Sequence, residues 1–213
     1  MLIEERMSKP VIVASQDMPI HEALSIMKRE RIRRMPVVHA GKLVGIISDR
    51  DLLNASPSPA TSLSVWELNY LLSKITLKDI MTKNVITVAE NTPIEEAARL
   101  MADNKIGGMP VMRNGEIVGI ITETDLFKIF LELMGARQKG VRATLLVQEK
   151  PGQLARITQA ITVNGGNFIA FGQFFGEDPT TRTVTMKVEG LDKEKVEQLI
   201  ETLGEKLVDI RIC

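Results

Sequence analysis

Gly45-Ile46-Ile47-Ser48-Asp49-Arg50-Asp51-Leu52 and, 74 residues further on, Gly119-Ile120-Ile121-Thr122-Glu123-Thr124-Asp125-Leu126 are two versions of one phrase. Working outward from them, residues 7–52 align with residues 81–126 at that constant offset and without a gap. Twenty of the 46 positions are identical, among them Met7/Met81, Pro19/Pro93, Pro36/Pro110, Gly41/Gly115, Gly45/Gly119 and Asp51/Asp125. Composition alone does not produce such agreement, so the first two-thirds of the chain is a duplication.

Each copy carries the same order of signals. A short strand (Val11–Val13, Val85–Val88) leads through a proline to a helix. Ile20, Ala23, Leu24 and Met27, and likewise Ile94, Ala97, Ala98 and Met101, fall at i, i+3, i+4 and i+7, the buried stripe of an amphipathic helix. Met-Pro-Val follows, then a tight turn at Ala40-Gly41 or Asn114-Gly115, where Asn-Gly tolerates positive φ at both positions. The returning strands Leu43–Ile47 and Ile117–Ile121 are continuously apolar and read as buried on both faces. A Ser or Thr then opens another helix. Between the copies, Ser56-Pro57-Ser58-Pro59-Ala60-Thr61 breaks helical structure. Ser64 and Glu67 then form a capping box for a linking helix through about Ile75.

The pattern changes after Gly135–Gly140, which reads as a short polar hinge. Thr144–Gln148, Phe168–Phe175, Thr181–Val188 and Leu207–Ile212 read as strands. Leu154, Ile157 and Ile161, and Val196, Leu199, Ile200 and Leu203, mark two helices. Strand-helix-strand-strand-helix-strand is the ferredoxin-like order. The expected divisions are a first repeat with its linking helix (1–75), a second repeat (76–134), the hinge (135–140) and a C-terminal domain (141–213).

Composition narrows the function. Lysine plus arginine and aspartate plus glutamate each number 27, so the net charge is zero, whereas a dedicated nucleic-acid binder carries a basic excess. No apolar run approaches the ~20 residues that span a bilayer. One cysteine (Cys213) and two histidines cannot build a metal cluster or an internal disulfide. These features, with a charged N-terminus lacking an apolar signal core, point to the cytoplasm. Signatures for phosphate-binding loops, dinucleotide folds, zinc proteases and nucleophile elbows are absent, so no enzyme is expected and no cofactor or metal is called for.

The duplicated half resembles tandem CBS domains, through Met35-Pro36-Val37 with Gly45–Leu52 and Met109-Pro110-Val111 with Gly119–Leu126. The last part resembles an ACT domain, through Glu149-Lys150-Pro151-Gly152-Gln153-Leu154 and Asn164-Gly165-Gly166-Asn167-Phe168. The order, with the Ser-Pro insert and Glu67-Leu68-Asn69-Tyr70-Leu71-Leu72, is similar to the acetoin-utilisation accessory (AcuB-like) family. The implied fold is α/β (α+β): β-α-β-β-α repeats followed by a ferredoxin-like βαββαβ domain.

Ser48-x-x-Asp51 and Thr122-x-x-Asp125 admit two readings. [ST]-x-x-[DE] at a helix start is a capping box. The same geometry offers phosphate a set of free backbone N–H groups and a hydroxyl, and offers the hydroxyls of a ribose a carboxylate. The resemblance implies the second: Asp51 and Asp125 on ribose, Ser48 and Thr122 near phosphate. The ligand would then be an adenine nucleotide (AMP, ADP or ATP), with an adenosyl compound such as S-adenosylmethionine as the alternative. A protein with degenerate clefts serving only assembly is the other alternative. Arg33 and Arg34 are expected to face phosphate by the same resemblance, or else to belong to a solvated basic helix end. The second copy has Gly107 and Gly108 there, which would leave its pocket uncharged. In the ACT-like part, Gly152, Gln153, Leu154 and Asn167 are the candidate ligand residues. Glu149 beside them would repel the carboxylate of an amino acid, so dimerisation is the first expectation there and amino-acid sensing the second. Four of the six phenylalanines (Phe168, Phe171, Phe174, Phe175) lie within one strand, with Phe168 and Phe174 on one parity and Phe171 and Phe175 on the other. The expected partners are thus a small-molecule nucleotide, a second copy of the chain and an unidentified regulated protein.

Overall fold

A computed structural model describes residues 1–55 and 74–213, which fall into two compact units, Met1–Leu126 and Phe127–Cys213. The Ser-Pro stretch and the Ser64/Glu67 capping box lie outside the described residues.

The first unit holds both repeats. In the first, β1 (Ala14–Ser15) pairs in parallel with β2 (Arg34–His39), which pairs antiparallel with β3 (Lys42–Ser48). Helix α1 (Ile20–Glu30) precedes β2 and α2 (Asp49–Asn54) follows β3. In the second, β4 (Val88–Ala89), β5 (Gly108–Arg113) and β6 (Glu116–Thr122) pair in the same way around α4 (Ile94–Asn104), with α5 (Glu123–Leu133) after β6. A one-turn helix, α3 (Leu77–Ile80), precedes this second set. The first strands begin later than the apolar runs at Val11 and Val85 imply, because only residues opposite Val37-Val38 and Val111-Met112 find a ladder. At the hairpins, Ala40 and Gly41 take φ of 47° and 76°, and Asn114 and Gly115 take 50° and 86°, the left-handed pair that a two-residue turn requires.

Core membership does not follow chain order. Ile3 and Met7, at the N-terminus, are buried with Met101, Met109 and Ile121 of the second repeat. Leu77, with Ile80 and Met81 against it, packs into the core of the first repeat with Met27, Met35 and Ile47. Each repeat lends its leading segment to the other. Ser8 exchanges backbone hydrogen bonds with Ile120, and Thr82 with Ile46. Hence β3 and β6 are not buried evenly on both faces: Gly45 and Ile47 are buried, whereas Val44 and Ile46 are half-buried. The exchange also accounts for two identical glycines. A Cβ at Gly45 would lie 2.8 Å from Met81 Cγ and 3.1 Å from Thr82 O, and one at Gly119 would meet Met7 in the same way.

The second unit is a four-stranded antiparallel sheet in the order β10-β7-β9-β8, formed by β7 (Val141–Gln148), β8 (Asn167–Phe175), β9 (Thr181–Glu189) and β10 (Lys206–Ile212). Helices α6 (Gln153–Val163) and α7 (Lys193–Leu203) cover one face, burying Leu145, Ile157, Val184, Met186 and Ile200. A bulge between Phe168 and Ala170 changes the simple parity of β8. Phe168 and Phe171 both pack on the core and meet edge-to-face with ring centroids 5.6 Å apart. Phe174 is half exposed, and Phe175 is 89% exposed beside the Arg182 guanidinium. The segment 135–140 is not a free hinge. Gly135 O accepts from the buried Lys187 Nζ at 3.1 Å, and Gly140 exchanges backbone hydrogen bonds with Cys213. Among the described residues no helix is long and apolar enough to cross a membrane.

Candidate nucleotide cleft and ACT-domain pocket

The end of β3 and the end of β6 set two equivalent constellations. Ser48 is the N-cap of α2: its Oγ and backbone N both donate to Asp51 Oδ2, at 2.7 and 2.9 Å, and Asp51 N donates back to Ser48 Oγ at 3.3 Å. Thr122 repeats this, with Oγ1 and N donating to Asp125 Oδ2 at 2.8 and 3.0 Å. The capping role is therefore realised at both sites. It engages the hydroxyl's proton with Asp51 Oδ2 at the first site and with Asp125 Oδ2 at the second.

The strand register places the start of β2 beside the first constellation. Arg34 is opposite Ser48, just as Gly108 is opposite Thr122. Asp49 N donates to Arg33 O at 3.0 Å and Glu123 N to Gly107 O at 3.1 Å, tying each strand start to its helix start. The arginine side chains then cross to the other repeat. Arg33 Nη2 donates to Thr124 Oγ1 at 3.1 Å. Arg34 lies against Gly107 and Gly108, with its Cδ 3.3 Å from where a Cβ on Gly108 would stand. The surroundings of Gly107 and Gly108 are consequently not left uncharged, because the missing side chains there make room for an arginine from the first repeat. Thr124 and Glu123, filler positions by motif, stand beside these arginines. The signal that could have found them is that a Gly-Gly pair in one copy replaces Arg-Arg in the other. His21 and His39 are exposed, and among the described residues no group of three His, Cys, Asp or Glu side chains could hold a metal ion.

In the second unit, a cavity of about 400 Å³ opens at the turn between β7 and α6, lined by Lys150, Gly152, Gln153, Leu154, Gln173 and Arg182 among others. Gly152 begins α6 with φ of 82°. Gln153 is buried and its Nε2 donates to Glu205, so it fastens α6 to the chain entering β10. Glu149, expected to repel a carboxylate, is already paired: its Oε2 accepts from Arg182 Nε at 2.8 Å and Gln173 Nε2 at 3.1 Å. Asn167 is not brought to this cavity. It donates to Glu189 at the opposite end of the sheet, where β8 begins.

Comparison with known proteins places this architecture. Residues 3–58 and 77–132 match the CBS domain, and residues 139–211 match the TTHA0829-like ACT domain. The chain belongs to the CBS-domain family and carries two such repeats followed by an ACT domain. A CBS domain-containing protein of Dictyostelium discoideum is 33% identical over 135 residues, 62% of this chain and 93% of its own. The crystal structure of the CBS domain pair of protein MJ0100, in complex with 5′-methylthioadenosine and S-adenosyl-L-methionine, is 34% identical. It covers 61% of this chain and 99% of that one, with a TM-score of 0.51. A Vibrio cholerae protein described as an acetoin utilization protein (AcuB) is 30% identical and covers 65% and 96%, with a TM-score of 0.53.

Proposed function

We propose that this protein is a non-enzymatic cytoplasmic regulator whose paired CBS repeats bind an adenine nucleotide, and whose ACT domain joins two copies of the chain. Asp51 and Asp125 receive ribose hydroxyls on their carboxylates. Arg33 and Arg34 meet the phosphate, with Ser48 and Thr122 beside it. The observation that carries this reading is the crossing of Arg33 and Arg34 onto Thr124 and Gly107. A solvated basic helix end makes no contact beyond its own repeat, whereas these two side chains reach the start of the second repeat's Asp-bearing helix at Glu123 and Thr124. Guanidinium groups suit phosphate because their donors match two phosphate oxygens at once.

A second reading, an adenosyl ligand without phosphate such as S-adenosylmethionine, is favoured by the ligands held by the MJ0100 pair. Thermal-shift measurements on the full chain with AMP, ADP, ATP, adenosine and S-adenosylmethionine separate the two. At 100 times its Kd a ligand adds about 2.7 kcal/mol to the unit it binds, a shift of several degrees. A shift with AMP supports the nucleotide reading, one with S-adenosylmethionine alone supports the second, and none at all leaves the clefts to assembly.

A further inference from the structure

Several positions at which the two repeats differ meet each other in the fold. At the offset of 74, Arg33-Arg34 correspond to Gly107-Gly108, and Asp49-Arg50 to Glu123-Thr124. Arg33 is held by Thr124 Oγ1. The Arg34 guanidinium and the Glu123 carboxylate converge on one point, the place where a Cβ on Gly107 would stand: Arg34 Cζ is 2.7 Å from it and Glu123 Oε2 2.6 Å. The first repeat supplies both cations, and the second supplies the space, the hydroxyl and a carboxylate. No reciprocal arrangement exists, because glycines at 107 and 108 have no side chain to send toward Asp49.

We propose that Glu123 and Gly107 are specificity-determining residues that limit the ligand to a nucleoside monophosphate. This rests on the nucleotide reading above. One phosphate is accommodated by Arg33 and Arg34. A chain of two or three phosphates extending past Arg34 brings further negative charge within a few ångströms of the Glu123 carboxylate. Like charges at that distance repel by about 1 kcal/mol each even at the dielectric of water, so the added phosphate charge weakens binding by about tenfold. Gly107 acts without a side chain, since any Cβ there displaces the Arg34 guanidinium from its seat.

The test is isothermal titration calorimetry on the full chain with adenosine, AMP, ADP and ATP, in EDTA so that no divalent cation screens the phosphates. Wild type is expected to bind AMP at least about tenfold more tightly than ATP. Glu123→Gln, at an exposed position, should bring the two within about threefold, mainly by strengthening ATP, and leave adenosine unchanged. Gly107→Ala should lower AMP affinity toward that of adenosine, with an unchanged circular dichroism spectrum. ATP binding to wild type as tightly as AMP, or an AMP-to-ATP ratio that Glu123→Gln does not move, overturns the role of Glu123. Equal weakening of AMP and adenosine by Gly107→Ala overturns the role of Gly107. Absence of binding by adenosine and every nucleotide in wild type is a different result, in which the nucleotide reading itself fails and takes this proposal with it.

Discussion

Arg33 and Arg34 are neighbours in sequence but are held differently. Arg33 is exposed and makes one hydrogen bond to a hydroxyl, while Arg34 is half-buried against two glycines. A charge-assisted hydrogen bond to phosphate contributes about 1.5–3 kcal/mol. Arg34→Ala should therefore weaken AMP at least about tenfold while leaving adenosine within about twofold, a contrast that calorimetry reads directly. Equal losses for both ligands would make Arg34 a packing residue. At Ser48/Asp51 the capping reading was legible from the motif, and the structure realises it. The crossing of the arginines was not legible: spacing locates residues along one strand and helix, whereas Arg33–Thr124 joins positions 91 residues apart. Asn167 failed for a related reason, since its proximity in sequence to the ACT motif says nothing of which end of a nine-residue strand faces the β7–α6 turn.

Among the elements, the exchanged leading segments determine how far the repeats depend on each other. Gly45→Ala forces a methyl against Met81 and the Thr82 carbonyl, and should destabilise the first unit by about 1–3 kcal/mol, the range for overpacking. Denaturant titration checks this, and an unchanged midpoint would mean that the Thr76–Thr82 segment can leave β3 at little cost. The cap that begins α3 gives a pH dependence. Backbone and side-chain hydrogen bonds from Thr76 hold the Asp79 carboxyl below its ordinary value of 3.8. Its contribution is present above that value and is lost as pH falls through the lower folded one, so acid should destabilise wild type more steeply than Asp79→Asn in melts below about pH 4. Periodicity revealed the helices because each buries a single stripe. It overstated the burial of β3 and β6, since an apolar run reads the same whether its second face meets a core or a borrowed segment. The bulge in β8 escaped it altogether: one inserted residue brings Phe168 and Phe171 to the same face, which strict alternation forbids.

For the whole molecule, the duplication and the ferredoxin-like order were readable because they rest on repetition and element sequence, while what covers the exposed aromatics was not. β8 is an edge strand, and it carries Phe174, 47% exposed, and Phe175, 89% exposed. Edge strands with exposed aromatic side chains are open to pairing with another copy. Burying each ring contributes about 1.5–3 kcal/mol, and a symmetric interface counts every ring twice. Phe174→Asp with Phe175→Asp should accordingly raise the dimer dissociation constant at least about a hundredfold, measured by light scattering on the full chain. A wild-type chain that is monomeric at high micromolar concentration would remove the ACT domain's assembly role.

The central claim, that the paired repeats bind an adenine nucleotide through Asp51 and Asp125, is tested most directly by titrating AMP calorimetrically into wild type and into the Asp51→Ala, Asp125→Ala and double variants. Each substitution costs a cap worth about 1 kcal/mol, so the fold should persist. The account predicts saturable binding to wild type, loss in at least one single variant and no detectable binding in the double variant. AMP heats that are identical in wild type and in the folded double variant would contradict it.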